Sequence, residues 1–422
     1  MMRIHLFITC LAFALVASAA AAADAWPQFL GPARNAVYVG KAITDELPAA
    51  GPKVLWRQKV GEGFASPVVT GVGVDAKVVL FHRREDRLVL DCLDASTGKQ
   101  VWSTGYDTDF FDDMRKGNGP RGTPAIADGK IYAFGPDGVL TCVDVATGKT
   151  LWQVNTAKEH RSPKGFFGRG CSPVVEDGLV FLNIGGPQAG VGAFDGKTGK
   201  LMWKAGGDEA GYASPVTATM GERKYVFFFT RTGLIACDPK SGEIFFEQRW
   251  RSKQHASVNA ASPLVVGNLV VLSSSYETGS TALAVDGKKF ETLWAGKDAI
   301  ASQYANLVHR DGFLYGFDGR NDFGDTKLRC VDLKTGKVRW TQDGLAAGPI
   351  VLAQPDGKGD AKLVILLENG DLLFVKATEK EFNSMARGKL LREPVRACFA
   401  LADGLMFARD EQELVCVDLR VR

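Results

Sequence analysis

The chain has 422 residues, 45% hydrophobic and 23% charged, an ordinary composition for a folded soluble protein. Its 51 basic and 48 acidic residues leave a formal net charge of +3, and neither sign forms a long run. That excludes the clustered Lys and Arg footprint a nucleic-acid binder needs to displace counterions, so no nucleic-acid partner is expected.

The first segment, residues 1–23, reads as a cleavable secretory signal. Arg3 is its positive end, residues 6–16 form the apolar centre, and small residues follow over 18–25. The apolar run is too short for a membrane span, and no later stretch is apolar enough to make one. Cys10 lies mid-run and is not placed as a lipid-attachment cysteine. The expected product is a periplasmic or secreted protein forming a single domain over residues 24–422.

Next along the chain, Val54-Leu-Trp56-Arg-Gln-Lys-Val60 is an aromatic strand with nothing before it to pair with. A motif then recurs at a spacing of about 46 residues. It reads Asp94-Ala-Ser-Thr-Gly-Lys-Gln-Val-Trp102, Asp144-Val-Ala-Thr-Gly-Lys-Thr-Leu-Trp152 and Asp195-Gly-Lys-Thr-Gly-Lys-Leu-Met-Trp203. It returns ending at Phe246, Trp294 and Trp340, each eight residues after an acid at Asp238, Asp286 and Asp332. A degenerate copy runs from Lys376 to Ser384, and Asp418 begins another four residues before the chain ends. The acid can hydrogen-bond the amides of the Thr-Gly-Lys turn, where glycine supplies a positive φ.

Alternation such as Leu140-Thr-Cys142-Val-Asp144 has strand periodicity, and hairpin signals such as Asp128-Gly129 separate further strands upstream. Four strands per unit describe a propeller blade. Seven complete units plus one shared between the two ends predict an all-β, eight-bladed β-propeller, with the strand of Trp56 completing the blade of Asp418. Closure of that kind removes exposed sheet edges. Trp56, Trp102, Trp152, Trp203, Phe246, Trp294 and Trp340 are then blade-to-blade packing residues. The motif aspartates recur too often to be catalytic, because chemistry needs its carboxylate once.

The Asp-x-x-Thr-Gly-Lys-x-x-Trp repeat resembles the tryptophan-docking motif of the pyrroloquinoline quinone (PQQ) repeat propellers. That family includes PQQ-dependent alcohol dehydrogenases and the non-enzymatic outer-membrane assembly factor BamB. The segment Trp26-Pro-Gln-Phe29-Leu-Gly31, with Asn35, Ile43-Thr44 and Leu55-Trp56, also resembles the opening of quinoprotein dehydrogenases. The resemblance implies one of two functions: a PQQ- and calcium-dependent oxidoreductase, or a scaffold without a cofactor. The chain departs from the dehydrogenase pattern in three ways. It has no adjacent Cys-Cys pair, it is too short for the long loops that cover the active site, and it offers no clear calcium set, Glu62, Asn259 and Asn306 being the nearest recruits. An exported, non-catalytic scaffold is therefore the expectation, with a PQQ-dependent dehydrogenase as the alternative.

Seven cysteines remain after Cys10: Cys92, Cys142, Cys237, Cys330 and Cys416 stand at equivalent places in different blades, Cys171 and Cys398 begin innermost strands of blades that are not neighbours, and all are expected to be unpaired, most of them as small buried residues. No zinc spacing is visible. The acidic stretches at Asp107, Asp109, Asp112 and Asp113, and from Asp318 to Asp325, lack the calcium-loop spacing and are expected to be solvated. Ligands of propellers sit over the central channel, so candidate binding residues are those preceding the innermost strands, whose starts are marked by Ser66-Pro67, Thr123-Pro124, Ser172-Pro173, Ser214-Pro215 and Ser262-Pro263. These are Arg121, Arg169, Tyr212, His255, Asn259, Tyr304, Asn306 and Arg396. Such a ring suits a protein segment or a small anionic ligand, while the plainer expectation is that each arginine pairs with a neighbouring acid or carbonyl.

Overall fold

The computed structural model describes residues 25–49, 51–355 and 360–421, so the expected signal segment lies outside the described residues. Eight antiparallel sheets are arranged as blades around a channel. Blade 1 holds Val68–Thr70, Lys77–Arg84, Arg87–Asp94 and Gln100–Asp107, from the channel outward. Blades 2 to 7 follow over 125–155, 174–205, 216–249, 264–296, 308–342 and 350–389. Blade 8 takes Ala400–Ala402, Leu405–Arg409 and Glu413–Asp418 from one end of the chain and Val54–Lys59 from the other. The ring thus closes as the split repeat predicts. No helix among the described residues is long and apolar enough to cross a membrane.

Burial follows the position of each strand in its blade. The second strand of blade 2, Lys130–Phe134, is buried after its first residue, whereas the outer strand Val54–Lys59 alternates half-buried and exposed. The aromatic of each outer strand docks on the next blade. Trp56 donates its indole N–H to the Ala95 carbonyl at 2.9 Å, Trp102 to Val145 at 2.9 Å, Trp152 to Gly196 at 3.2 Å and Trp203 to Pro239 at 2.8 Å. Trp294 and Trp340 repeat the bond to Leu333 and Thr378. The turn glycine is obligatory here for two reasons. Gly199 has φ +73°, and a Cβ on it would lie 2.6 Å from the Trp152 ring.

Three expectations change at this level. Asp94, Asp144, Asp195, Asp238 and Asp332 each accept from amides of their own turn, but Asp286 does not. Its blade turns through the two-residue hairpin Gly287-Lys288, and Phe290 occupies the place of the motif glycine. The incoming aromatic is correspondingly Phe246, stacked on Phe290 at 4.3 Å and 2°. In the degenerate copy the aromatic position is Ala386, opposite Phe374, rather than Ser384, because the turn is two residues longer. Finally, Asp112 is not solvated: it is 1% exposed and bonded as described below. The seven cysteines, by contrast, are all buried and free.

The N-terminal arm closes one end of the channel. Trp26 bridges Val69 of blade 1, the Pro27 carbonyl accepts from Ile126 of blade 2, and Arg34 donates to the Pro173 carbonyl ahead of blade 3. Val37–Tyr38 then adds a parallel fifth strand to the innermost edge of blade 7.

Candidate functional site

Opposite the arm, the channel opens into a cavity of about 450 Å³. Phe29 and Leu30 of the arm are among its lining residues, and Phe64, Phe166, Phe167, Tyr212, Tyr276 and Tyr304 supply aromatic surface. Its level is set by a hydrogen-bonded belt at the start of the blades. The Ser66 amide donates to the Thr123 hydroxyl, Thr123 to Ser172, Ser172 to Ser214, and Ser214 to Ser262, each at 2.9 Å. Ser262 ends the series on Asn306 Oδ1 at 2.7 Å. The Ser-Pro and Thr-Pro starts that looked like strand signals therefore tie neighbouring blades together.

Three charged clusters and one lysine meet at this level. The Asp112 carboxylate caps its own loop, accepting from the Met114 amide at 2.9 Å and the Lys116 amide at 3.0 Å, and accepts from Arg121 Nη2 at 2.7 Å. Arg121 also donates to the Gly117 and Gly119 carbonyls and lies over the Phe64 and Phe167 rings at 5.8 and 5.9 Å. Burial lowers its pKa from the usual arginine value, against the attraction of Asp112. Across the cavity, the buried Glu368 carboxylate is shared. Oε1 accepts from Arg396 Nε at 2.5 Å, and Oε2 from the Tyr304 hydroxyl at 3.1 Å. Burial, reinforced by Glu368, pushes the Tyr304 phenol well above its ordinary pKa, so it stays a neutral donor. Arg320 pairs with Asp322, which also accepts from Gln303 at 3.1 Å. The Arg320 guanidinium lies over Tyr276 at 4.5 Å. Lys116 lines the mouth and has no ion pair among the described residues.

The structure brings Arg121, Tyr212, Tyr304, Asn306 and Arg396 to the cavity wall. Arg169 is instead buried beneath it, bonded to the Ser162 carbonyl. Asn259 is buried and spends its amide on the Thr230 and Trp250 carbonyls, with Ser274 donating to its oxygen. His255 is exposed and meets the edge of Phe166 at 6.0 Å. Sequence reasoning missed Glu368 and Tyr276 and left Arg320 and Asp322 in a stretch expected to be solvated; all four sit in turns between second and third strands. Those turns reach the same mouth as the loops between blades, and the signal in blades 6 and 7 was a charged residue just after the second strand, as in Asp318-Gly319-Arg320 and Leu366-Leu367-Glu368. Among the described residues no group of three or more His, Cys, Asp and Glu gathers to hold a metal ion.

The repeat region over residues 45–164 and 113–342 matches the family described as outer membrane protein assembly factor BamB. No curated protein sequence matches the chain. Solved structures share the fold at low identity. BamB from Moraxella catarrhalis is 13% identical with a TM-score of 0.60, over 87% of this chain and 98% of that one. Quinohemoprotein alcohol dehydrogenase from Comamonas testosteroni is 14% identical with a TM-score of 0.65, over 97% and 82%. The quinohemoprotein alcohol dehydrogenase ADHIIG from Pseudomonas putida HK5 gives 14% and 0.65 over 96% and 82%.

Proposed function

The chain belongs to the PQQ-repeat propeller family described by the assembly factor BamB, and from that premise we propose that it is an exported, non-catalytic scaffold. Its working surface is the cavity opposite the arm, and its occupant is a protein segment or a small anionic ligand. One observation carries this reading: the carboxylates that line the cavity, and Asp112 behind Arg121, are already engaged. Glu368 is spent on Arg396 and Tyr304, Asp322 on Arg320 and Gln303, and Asp112 on Arg121 and its own loop. A general base needs an oxygen free to reach the substrate proton, and calcium needs six to eight oxygen ligands. The residues present do not fit calcium, so a calcium-bound quinone has no seat of its own here. Of the side chains lining the cavity, Lys116 has no ion pair and Arg396 makes its hydrogen bond to Glu368 through Nε alone among the described residues, which leaves cationic nitrogens for an anion.

PQQ with calcium, titrated into the purified protein while the quinone absorbance is followed, separates this from the dehydrogenase alternative. The expected outcome is no stoichiometric uptake. Alcohol- or sugar-dependent dye reduction would reverse the conclusion. In parallel, calorimetry with benzoate and citrate is expected to detect binding that Arg396→Ala weakens about ten-fold, a loss of roughly 1.4 kcal/mol. Binding indifferent to Arg396 would remove the mouth as the site.

A further inference from the structure

Where blade 8 meets blade 1, Gly61 is held from both sides. Its N–H donates to His82 Nδ1 at 2.8 Å, and its carbonyl accepts from Arg409 Nη2 at 2.7 Å. The fit leaves no room, since a Cβ on Gly61 would lie 1.7 Å from the Arg83 carbonyl oxygen. His82 comes from the second strand of blade 1 and Arg409 from the second strand of blade 8, so Gly61 joins the two blades that close the ring. Both side chains are 0% exposed. His82 Nε2 lies 2.9 Å from Asp91 Oδ2. With Nδ1 accepting from an amide, the ring is neutral and its one proton sits on Nε2, directed at Asp91.

Gly61 leads directly into the mouth. The Glu62 carbonyl accepts from the Arg83 amide at 2.8 Å, and the Phe64 and Ala65 amides both donate to the Pro120 carbonyl. The Phe64 ring lines the cavity and lies within cation–π range of Arg121 and Arg396, at 5.8 and 5.5 Å.

We propose that His82 is an acid-sensitive latch on this loop: a proton arriving at Nδ1 turns the acceptor into a donor facing the Gly61 N–H, frees residues 61–65, and loosens the mouth around Phe64. The step is a protonation alone, and the lost bond is Gly61 N–H to Nδ1. As regulation of the cavity, this rests on the cavity being the binding surface; the latch itself stands on the seam geometry.

The charges facing His82 fix where the latch works. Asp91 attracts the incoming proton. Arg84 from the same blade and Arg409 from blade 8 repel it, with Asp410 and Glu411 placed around Arg409. Burial is the largest influence and holds the His82 pKa below its ordinary 6.5. An unfolded or released histidine binds its proton near pH 6.5, and the latched one resists. The latch is therefore fully closed above that pH and loses stability as pH falls below it.

Hydrogen exchange between about pH 7.5 and 5, corrected for intrinsic exchange rates, tests this without any ligand. Protection of amides 61–65 is expected to fall at least about ten-fold relative to amides 212–213, which hold the matching loop by backbone bonds to Asn259 with no histidine. His82→Gln keeps an acceptor and a donor but cannot titrate, and is expected to give a flat profile. Asp91→Asn removes the attracting charge, so the latched ring resists the proton further, and the loss of protection below about pH 6.5 is expected to be at least as large as in the wild type. A flat wild-type profile, or an unchanged one in His82→Gln, overturns the latch. If His82→Gln does not fold, a smaller loss of protection in Asp91→Asn than in the wild type does the same. A failed ligand titration would leave these outcomes intact, so the two readings fail separately.

Discussion

Asp195 and Asp112 both accept from the amides of a turn, one at the end of the third strand of blade 3 and the other in the loop ahead of blade 2, and their surroundings differ in kind. Asp195 accepts from the Lys197 amide at 3.1 Å, the Thr198 amide at 2.8 Å and the Thr198 hydroxyl at 2.7 Å, all within three residues. Asp112 is buried and adds Arg121, nine residues on, to its local amides. Glu368 goes further: its partners are 28 residues ahead in Arg396 and 64 behind in Tyr304. The turn acids stabilise a local shape that any blade can reuse. Glu368 takes its partners from loops outside its own blade, a pairing that cannot repeat because each blade brings a different loop. On this view the docked perimeter supplies stability and the mouth is free to vary for binding.

The largest test removes a docked ring. Trp203 is buried, bonded to the Pro239 carbonyl, and meets Phe228 edge-on at 6.2 Å. Trp203→Ala is expected to cost about 3–5 kcal/mol, the range for emptying a large aromatic site in a core. Urea unfolding would measure it. A loss below about 1 kcal/mol would mean the perimeter is not what holds the ring together.

A sharper test lies at the seam between blades 4 and 5, where the rule is locally inverted. Phe290 fills the place that glycine leaves open elsewhere, so the incoming ring must be small and stacked. Phe246→Trp is expected to overpack the seam and cost about 1–3 kcal/mol. Phe290→Gly in the same chain should return part of that loss, giving a favourable coupling in a double-mutant cycle. Additive effects would show that the glycine cradle and the docked ring are independent.

The same contrast explains what was readable. Blade number, closure by the strand of Trp56 and the docking aromatics all follow from spacings within one motif window. Asp286 satisfied that spacing yet turns differently, because Gly287-Lys288 forms a two-residue hairpin once the Thr-Gly pair is missing. The blade 7 copy was placed two residues early, since its aromatic is replaced by Ala386 and spacing had nothing to anchor it. In the mouth, residues ahead of the innermost strands were located by the Ser-Pro starts, but proximity to the mouth did not say which side chains face it. Arg169 and Asn259 turn into the wall, because each meets unsatisfied carbonyls there. Glu368 and the arm residues Phe29 and Leu30 depend on pairings across blades that no local pattern encodes.

The smallest expected effect decides whether the division between perimeter and mouth is real. Arg320 carries as many interactions as a structural residue: an ion pair with Asp322, and rings beneath it at 4.5 Å in Tyr276 and 4.3 Å in Phe323. Asp322 and Phe323 are exposed, however, so water replaces what Arg320 gives them. Exposed ion pairs contribute only about 0–1 kcal/mol, because screening and side-chain ordering offset the attraction. Arg320→Ala is therefore expected to leave the urea midpoint nearly unchanged, within about 0.5 kcal/mol. Its removal also strips one cation from the mouth, so any anion affinity should fall while stability does not. A destabilisation of about 2 kcal/mol or more would place Arg320 beside Trp203 in kind. The mouth would then be a second structural ring, with its charges serving closure of the propeller before any ligand.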